Sequence, residues 1–126
     1  MKVRHIGIVC RHEAAATRFY AGLLGLKQAD TKTVAAALAR QLFDIDAELR
    51  IANYIGDGIH FEVFFHDDPQ ESPGRIAHVC LEVADLDTLV DRARAMNITV
   101  LQVSRGEGWV TFIEDDDGHR FELKQA

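Results

Sequence analysis

Two histidines and two glutamates recur at matched places in the two halves of this chain: His5 and Glu62 in the first, His78 and Glu122 in the second. Imidazole nitrogens and carboxylate oxygens are donors for Zn, Ni, Co, Mn or Fe(II). Four of them leave room for water or a substrate. Nothing in the donor set selects among those ions. A lone strand glutamate is usually just a solvated side chain, so the elements that carry the four residues decide the reading.

Those elements form a repeat. The apolar, β-branched stretch His5-Ile6-Gly7-Ile8-Val9 returns as Ile76-Ala77-His78-Val79-Cys80-Leu81-Glu82-Val83. A helical pattern follows each. In the first half it runs through Ala14, Phe19, Tyr20, Leu23 and Leu24 to Gly25, a C-terminal glycine signal. In the second it runs through Leu86, Leu89, Val90, Ala93 and Met96, with Asp85 or Asp87 as the N-cap. Strands come next: 26–31, 48–55 and 59–65 in the first half, 98–103, 109–114 and 119–124 in the second. Gly56-Asp57-Gly58 and Asp115-Asp116-Asp117-Gly118 join the last two of each set, as hairpin turns do. Each half thus reads β-α-β-β-β. The expected organisation is one domain over 1–126, with module one at 1–66, module two at 75–126, and a linker at 66–74 holding Pro69 and Pro73. Residues 33–45 have no counterpart in the second half. Their alanines favour a short helix, placed at the rim of the sheet where substrate-covering segments lie.

Strand side chains alternate between faces, and one face must bury against the helix. Phe61, Val63 and Phe65 suit that face, which leaves His60, Glu62 and Phe64 on the other. Phe121 and Leu123 leave Arg120, Glu122 and Lys124 outward. Ala77, Val79, Leu81 and Val83 leave His78, Cys80 and Glu82. Arg4, Ile6, Ile8 and Cys10 fit the helix side less well, and His5 falls opposite them with Val3, Gly7 and Val9. The four candidate ligands therefore project from the face the helices do not cover. On the strand before Glu62, Leu49 and Ile51 compete for the helix side. Glu48 and Arg50 are then expected toward the cavity, Glu48 as a second catalytic carboxylate and Arg50 for an anionic substrate group. The plainer reading of that pair is an exposed cross-strand ion pair. His60, Phe64 and Trp109 are the remaining substrate-contact candidates, and Cys80 is placed beside them.

Composition bounds the rest. A chain of 126 residues, 48% hydrophobic and 27% charged, suits a single core. A net charge of −6 argues against a nucleic-acid partner. No apolar run approaches the ~20 residues that span a bilayer, and the N-terminus lacks the apolar core of a signal peptide. A cytoplasmic location and no membrane partner are expected. Cys10 and Cys80 lack metal-type spacing and read as buried reduced thiols.

The chain resembles the vicinal oxygen chelate superfamily, which includes glyoxalase I, methylmalonyl-CoA epimerase, extradiol dioxygenases and fosfomycin or bleomycin resistance proteins. The matching stretches are His5-Ile6-Gly7-Ile8-Val9, Phe19-Tyr20-Ala21-Gly22-Leu23-Leu24-Gly25-Leu26, Phe61-Glu62-Val63-Phe64, residues 76–83, and Asp115-Asp116-Asp117-Gly118-His119-Arg120-Phe121-Glu122-Leu123. The resemblance implies an α+β fold of paired βαβββ modules forming a cupped mixed sheet around a divalent metal. It puts His5, Glu62, His78 and Glu122 on the metal positions and makes Glu122 both ligand and base. The His/Glu/His/Glu set is most similar to bacterial glyoxalase I. The implied activity is that of a metal-dependent lyase or isomerase, moving a proton beside a metal-held oxygen of a small molecule. An Fe(II)-dependent dioxygenase and a non-enzymatic drug-binding protein are the alternatives. The family habit, and the open sheet edges, imply a homodimer.

Overall fold

The computed structural model describes residues 3–67 and 78–126. The chain divides into two compact units, Met1–Pro69 and Gln70–Ala126. In the first unit, β1 (Ile6–Cys10) leads into α1 (Glu13–Ala16), which continues as a π-helical segment, Thr17–Leu23. Then come β2 (Lys27–Val34), α2 (Ala36–Phe43), β3 (Leu49–Gly56) and β4 (Ile59–Phe65). The sheet order is β1-β4-β3-β2. β1 runs parallel to β4, and the other pairs are antiparallel. Asp57 and Gly58 both take positive φ in the β3–β4 turn, so the hairpin closes in two residues.

Aromatic packing between helix and sheet holds this unit together. Tyr20 stacks on Tyr54 at 5.4 Å between centroids and meets Phe61 at 5.3 Å. Phe19, Tyr20, Leu23, Tyr54, Phe61 and Val63 are all buried. The Tyr54 hydroxyl is 2.9 Å from Thr17 Oγ1, which supplies its polar partner. Truncating Phe61 to alanine would cost about 3–5 kcal/mol, since transfer and cavity terms add.

The second unit repeats the plan with β5 (His78–Val83), α3 (Leu86–Ala95), β6 (Thr99–Arg105), β7 (Gly108–Glu114) and β8 (Arg120–Gln125). Its order is β5-β8-β7-β6, with β5 parallel to β8. Asp85 caps α3, its Oδ1 accepting from Thr88 N at 3.0 Å and its Oδ2 from Thr88 Oγ1 at 2.7 Å. Val90 and Ala93 bury against the sheet that carries Ile113, Phe121 and Leu123. Both units are βαβββ modules with mixed four-stranded sheets, so the α+β class expected from the repeat is the one observed.

Local differences have local causes. The helix expected to reach Gly25 widens into a π-helix at Thr17–Leu23, with Leu24 N bonded to Phe19 O at 3.0 Å. The wider turn lets Phe19, Tyr20 and Leu23 all bury. The helix of the 33–45 segment starts at Ala36, because Thr33 and Val34 extend β2. His66 is less a linker residue than the end of the β1–β4 ladder, donating its N–H to Cys10 O at 3.1 Å. Residues 68–74 of the expected linker, and Ile76 and Ala77 of the expected strand, lie outside the described residues. Among the described residues no helix is long and apolar enough to cross a membrane.

Candidate metal centre

The parallel ladders place the candidate ligands. Gly7 pairs with Glu62 across β1 and β4, and His5 lies two residues before Gly7. Cys80 pairs with Glu122 across β5 and β8, and His78 lies two residues before Cys80. The register offset is the same in both units. His5 Nε2 is 3.3 Å from Glu62 Oε2, and His78 Nε2 is 3.4 Å from Glu122 Oε2. Two donor atoms each ~2.1 Å from one ion, at ~100–110° to each other, stand about 3.2–3.4 Å apart. Each pair therefore has the spacing of neighbouring ligands on one divalent ion. The two carboxylates are sheltered, at 19% and 20% exposure. The imidazoles are more open.

Each pair has a supporting shell. In the first unit, the Asn53 Nδ2 amide donates to Asp30 O at 3.0 Å, and Asn53 Oδ1 is 2.8 Å from His60 Nε2. A carbonyl only accepts, so the amide orientation is fixed. His60 must then donate from Nε2. Its ring meets the edge of His5 at 5.8 Å. Asn53 itself is buried. In the second unit the His78 ring packs edge-on to Phe112 at 5.4 Å, and Phe112 is the β7 residue opposite Glu122. Lys124 Nζ is 3.6 Å from Glu122 Oε1, and Arg120 Nε donates to Glu114 Oε1 at 2.7 Å.

The glyoxalase/bleomycin resistance protein/dioxygenase superfamily model matches residues 2–123. The chain belongs to that superfamily. Among solved structures, a glyoxalase family protein from Enterococcus faecalis aligns with TM-score 0.74 and 18% identity, over 97% of this chain and 95% of that one. A glyoxylase/bleomycin resistance protein/dioxygenase domain from Frankia sp. EAN1pec aligns with TM-score 0.76 and 17% identity, over 100% and 92%. A mutant fosfomycin resistance protein from Listeria monocytogenes, complexed with Mn(II) and 1S,2S-dihydroxypropylphosphonic acid, aligns with TM-score 0.70 and 17% identity, over 96% and 86%. At these identities the likeness is one of fold. No curated protein matches the sequence.

Several site expectations for this superfamily member change. Arg50 does not face the ligand side. Its register partner is Phe65, and Ala52 and Tyr54 on the same alternation pair with Val63 and Phe61, the helix-facing set. Arg50 reaches Glu13 on α1, Nη2 to Oε1 at 3.0 Å. Glu48, two residues earlier, is exposed and lies ahead of β3, outside the ladder that orients Arg50. Arg50 is thus paired with α1 and not with Glu48. The cause is a strand apolar on both faces: Ile51 and Asn53 are buried on the ligand side while Ala52 and Tyr54 are buried on the helix side.

Trp109 alternates with Thr111 and Ile113, and Thr111 and Ile113 pair with Leu123 and Phe121, so it leaves the ligand face and is 67% exposed. Cys80 is exposed, not buried. Partial desolvation, then the Glu122 carboxylate, push its thiol pKa up. His60 and Phe64 do share the face of Glu62. Asn53 and Phe112 were missed. A single amide inside the apolar run Ile51-Ala52-Asn53-Tyr54 was the available signal for the first, since a buried amide needs partners. The alternation of β7 was the signal for the second. His119 Nδ1 sits 2.8 Å from Asp115 Oδ2.

Proposed function

We propose that this protein is a metal-dependent lyase or isomerase of the glyoxalase–epimerase type, with His5 and Glu62 in one module and His78 and Glu122 in the other as divalent-metal ligands. The observation that carries the reading is the doubled His–Glu contact, 3.3 Å in one unit and 3.4 Å in the other, on the same register. A bound divalent ion supplies Lewis acidity toward a substrate oxygen and acidifies the neighbouring C–H. The chain supplies the proton acceptor. Glu122 is four-fifths sheltered, and its Oε1 faces the Lys124 ammonium rather than a second carboxylate. It can take a proton from the carbon beside the held oxygen and return it to the next atom. Asn53 fixes His60 as an Nε2–H donor, which holds the imidazole ring in place beside His5. Glu122 is the base in this reading. The protein works as a homodimer on a small molecule.

The test is solvent exchange. The metal-loaded protein is incubated in D2O with the glutathione hemithioacetal of methylglyoxal, and separately with a methylmalonyl thioester. Proton spectra are then followed at the carbon beside the carbonyl. Deuterium incorporation that disappears in Glu122→Gln is the expected result. Absence of exchange with both, alongside oxygen consumption by iron-loaded protein given a catechol, would replace this reading with a dioxygenase.

A further inference from the structure

We infer that α2 selects the substrate: Phe43, packed on Phe64, receives an apolar substituent carried next to the metal-held oxygens. This rests on the metal-centre reading above and adds a substrate class to it. In the second unit β6 and β7 are joined by two residues only, Gly106 and Glu107, whereas in the first β2 and β3 are joined through α2. That helix turns Ala39 and, four residues on, Phe43 to the same side. Ala39 is fully buried. The Phe43 ring meets Phe64 edge-on at 5.4 Å.

Phe64 is on the face of Glu62, two residues along β4, about 7 Å away by strand rise. Across the ladder Phe64 pairs with Ile51, which is buried. The carboxylate donor is thus followed along its own strand by a wall of Ile51, Phe64 and Phe43. That wall is not filled, because Phe43 remains 44% exposed and Phe64 is half-buried. The helix end is fixed: Asp44 takes the left-handed C-cap with its N–H on Arg40 O at 3.1 Å, and Arg40 pairs with Asp46 at 3.0 Å. An aromatic edge held in place beside a metal ligand favours a molecule whose carbon chain or ring extends from the chelating oxygens.

Hydroxamates test this directly, because acetohydroxamate and benzohydroxamate share one chelating head and differ in the apolar group. Affinities are measured by calorimetry on the cobalt-loaded wild type, Phe43→Ala, Phe43→Gln, Phe64→Ala and, as a control, Leu42→Ala, whose side chain is exposed on α2. The expected preference for benzohydroxamate is about tenfold in the wild type and Leu42→Ala, falling to within about threefold in both Phe43 variants and in Phe64→Ala. Equal affinities in the wild type, or a preference that survives both Phe43 variants and Phe64→Ala, overturn the inference and leave the metal centre standing. Failure to take up cobalt removes the metal-centre reading and this inference together, whereas cobalt-loaded protein that binds neither hydroxamate overturns this inference alone.

Discussion

His5 Nε2 stands 3.3 Å from Glu62 Oε2, although 56 residues of chain lie between them. A parallel ladder makes the contact: β1 lies beside β4, and Glu62 faces Gly7, two residues past the histidine. The second unit makes the same contact from β5 and β8. What repeats is a register and not merely a composition, and register decides which side chains share a face.

Asn53 holds two groups at once, the Asp30 carbonyl and His60 Nε2. Asn53→Leu strands both, and a lost partner in a buried place costs about 1–3 kcal/mol. The looser His60 ring then supports His5 less well, so divalent-ion affinity falls by roughly tenfold, the low end for residues that orient ligands. Urea denaturation and calorimetric titration of the same variant read the two effects separately.

Arg50 belongs to the helix side and Glu48 is exposed ahead of β3, so Arg50→Gln and Glu48→Gln leave ion affinity and solvent exchange at wild-type levels. Breaking the Arg50–Glu13 pair, which is largely in water, changes stability by about 0–1 kcal/mol. Loss of exchange activity in either variant would return these residues to the site.

Tyr54 is held neutral in the folded state. Burial raises its pKa above the ordinary 10.0, against the hydrogen bond to Thr17, which lowers it. A raised folded value means its contribution to stability is full below pH 10 and lost as pH rises through the folded value. Tyr54→Phe should cost about 0.5–1.5 kcal/mol at pH 7 by losing the Thr17 bond. It should also flatten the alkaline fall in stability. Denaturation curves at pH 8 and pH 11 measure both.

Asp115 organises the β7–β8 turn. Its Oδ1 accepts from Asp117 N at 3.0 Å and His119 N at 2.9 Å, while Oδ2 accepts from His119 Nδ1 at 2.8 Å. Gly118 in the turn sits at φ 83, where a side chain is strained. Asp115→Ala leaves these donors unmatched and should cost about 1–3 kcal/mol, with Asp115→Asn recovering part of it. Thermal unfolding of the two variants gives the order.

The strands whose two faces differ in polarity could be read directly. β4 alternates Phe61 and Val63 with His60 and Glu62, and β8 alternates Phe121 and Leu123 with Arg120 and Glu122. Their faces, and so the two glutamates, followed from side-chain type. β3 is buried on both sides, so Arg50 could be assigned only by the register against β4. The π-helical turn at Thr17–Leu23 has the same apolar spacing as an α-helix and leaves no separate trace in residue types. The Phe43–Phe64 contact depends on where the β2–β3 connection folds back, which no local pattern encodes.

Each matched His–Glu pair is a pair of divalent-metal ligands in this reading. Metal analysis after reconstitution with zinc, manganese, nickel or cobalt tests it most directly, on the wild type and on Glu62→Gln and Glu122→Gln. Stoichiometric divalent metal is expected in the wild type, with either substitution weakening affinity at least tenfold, since a ligand matters more than the groups that orient it. Unchanged affinity in both substituted proteins, or the absence of stoichiometric metal under every condition, would contradict it.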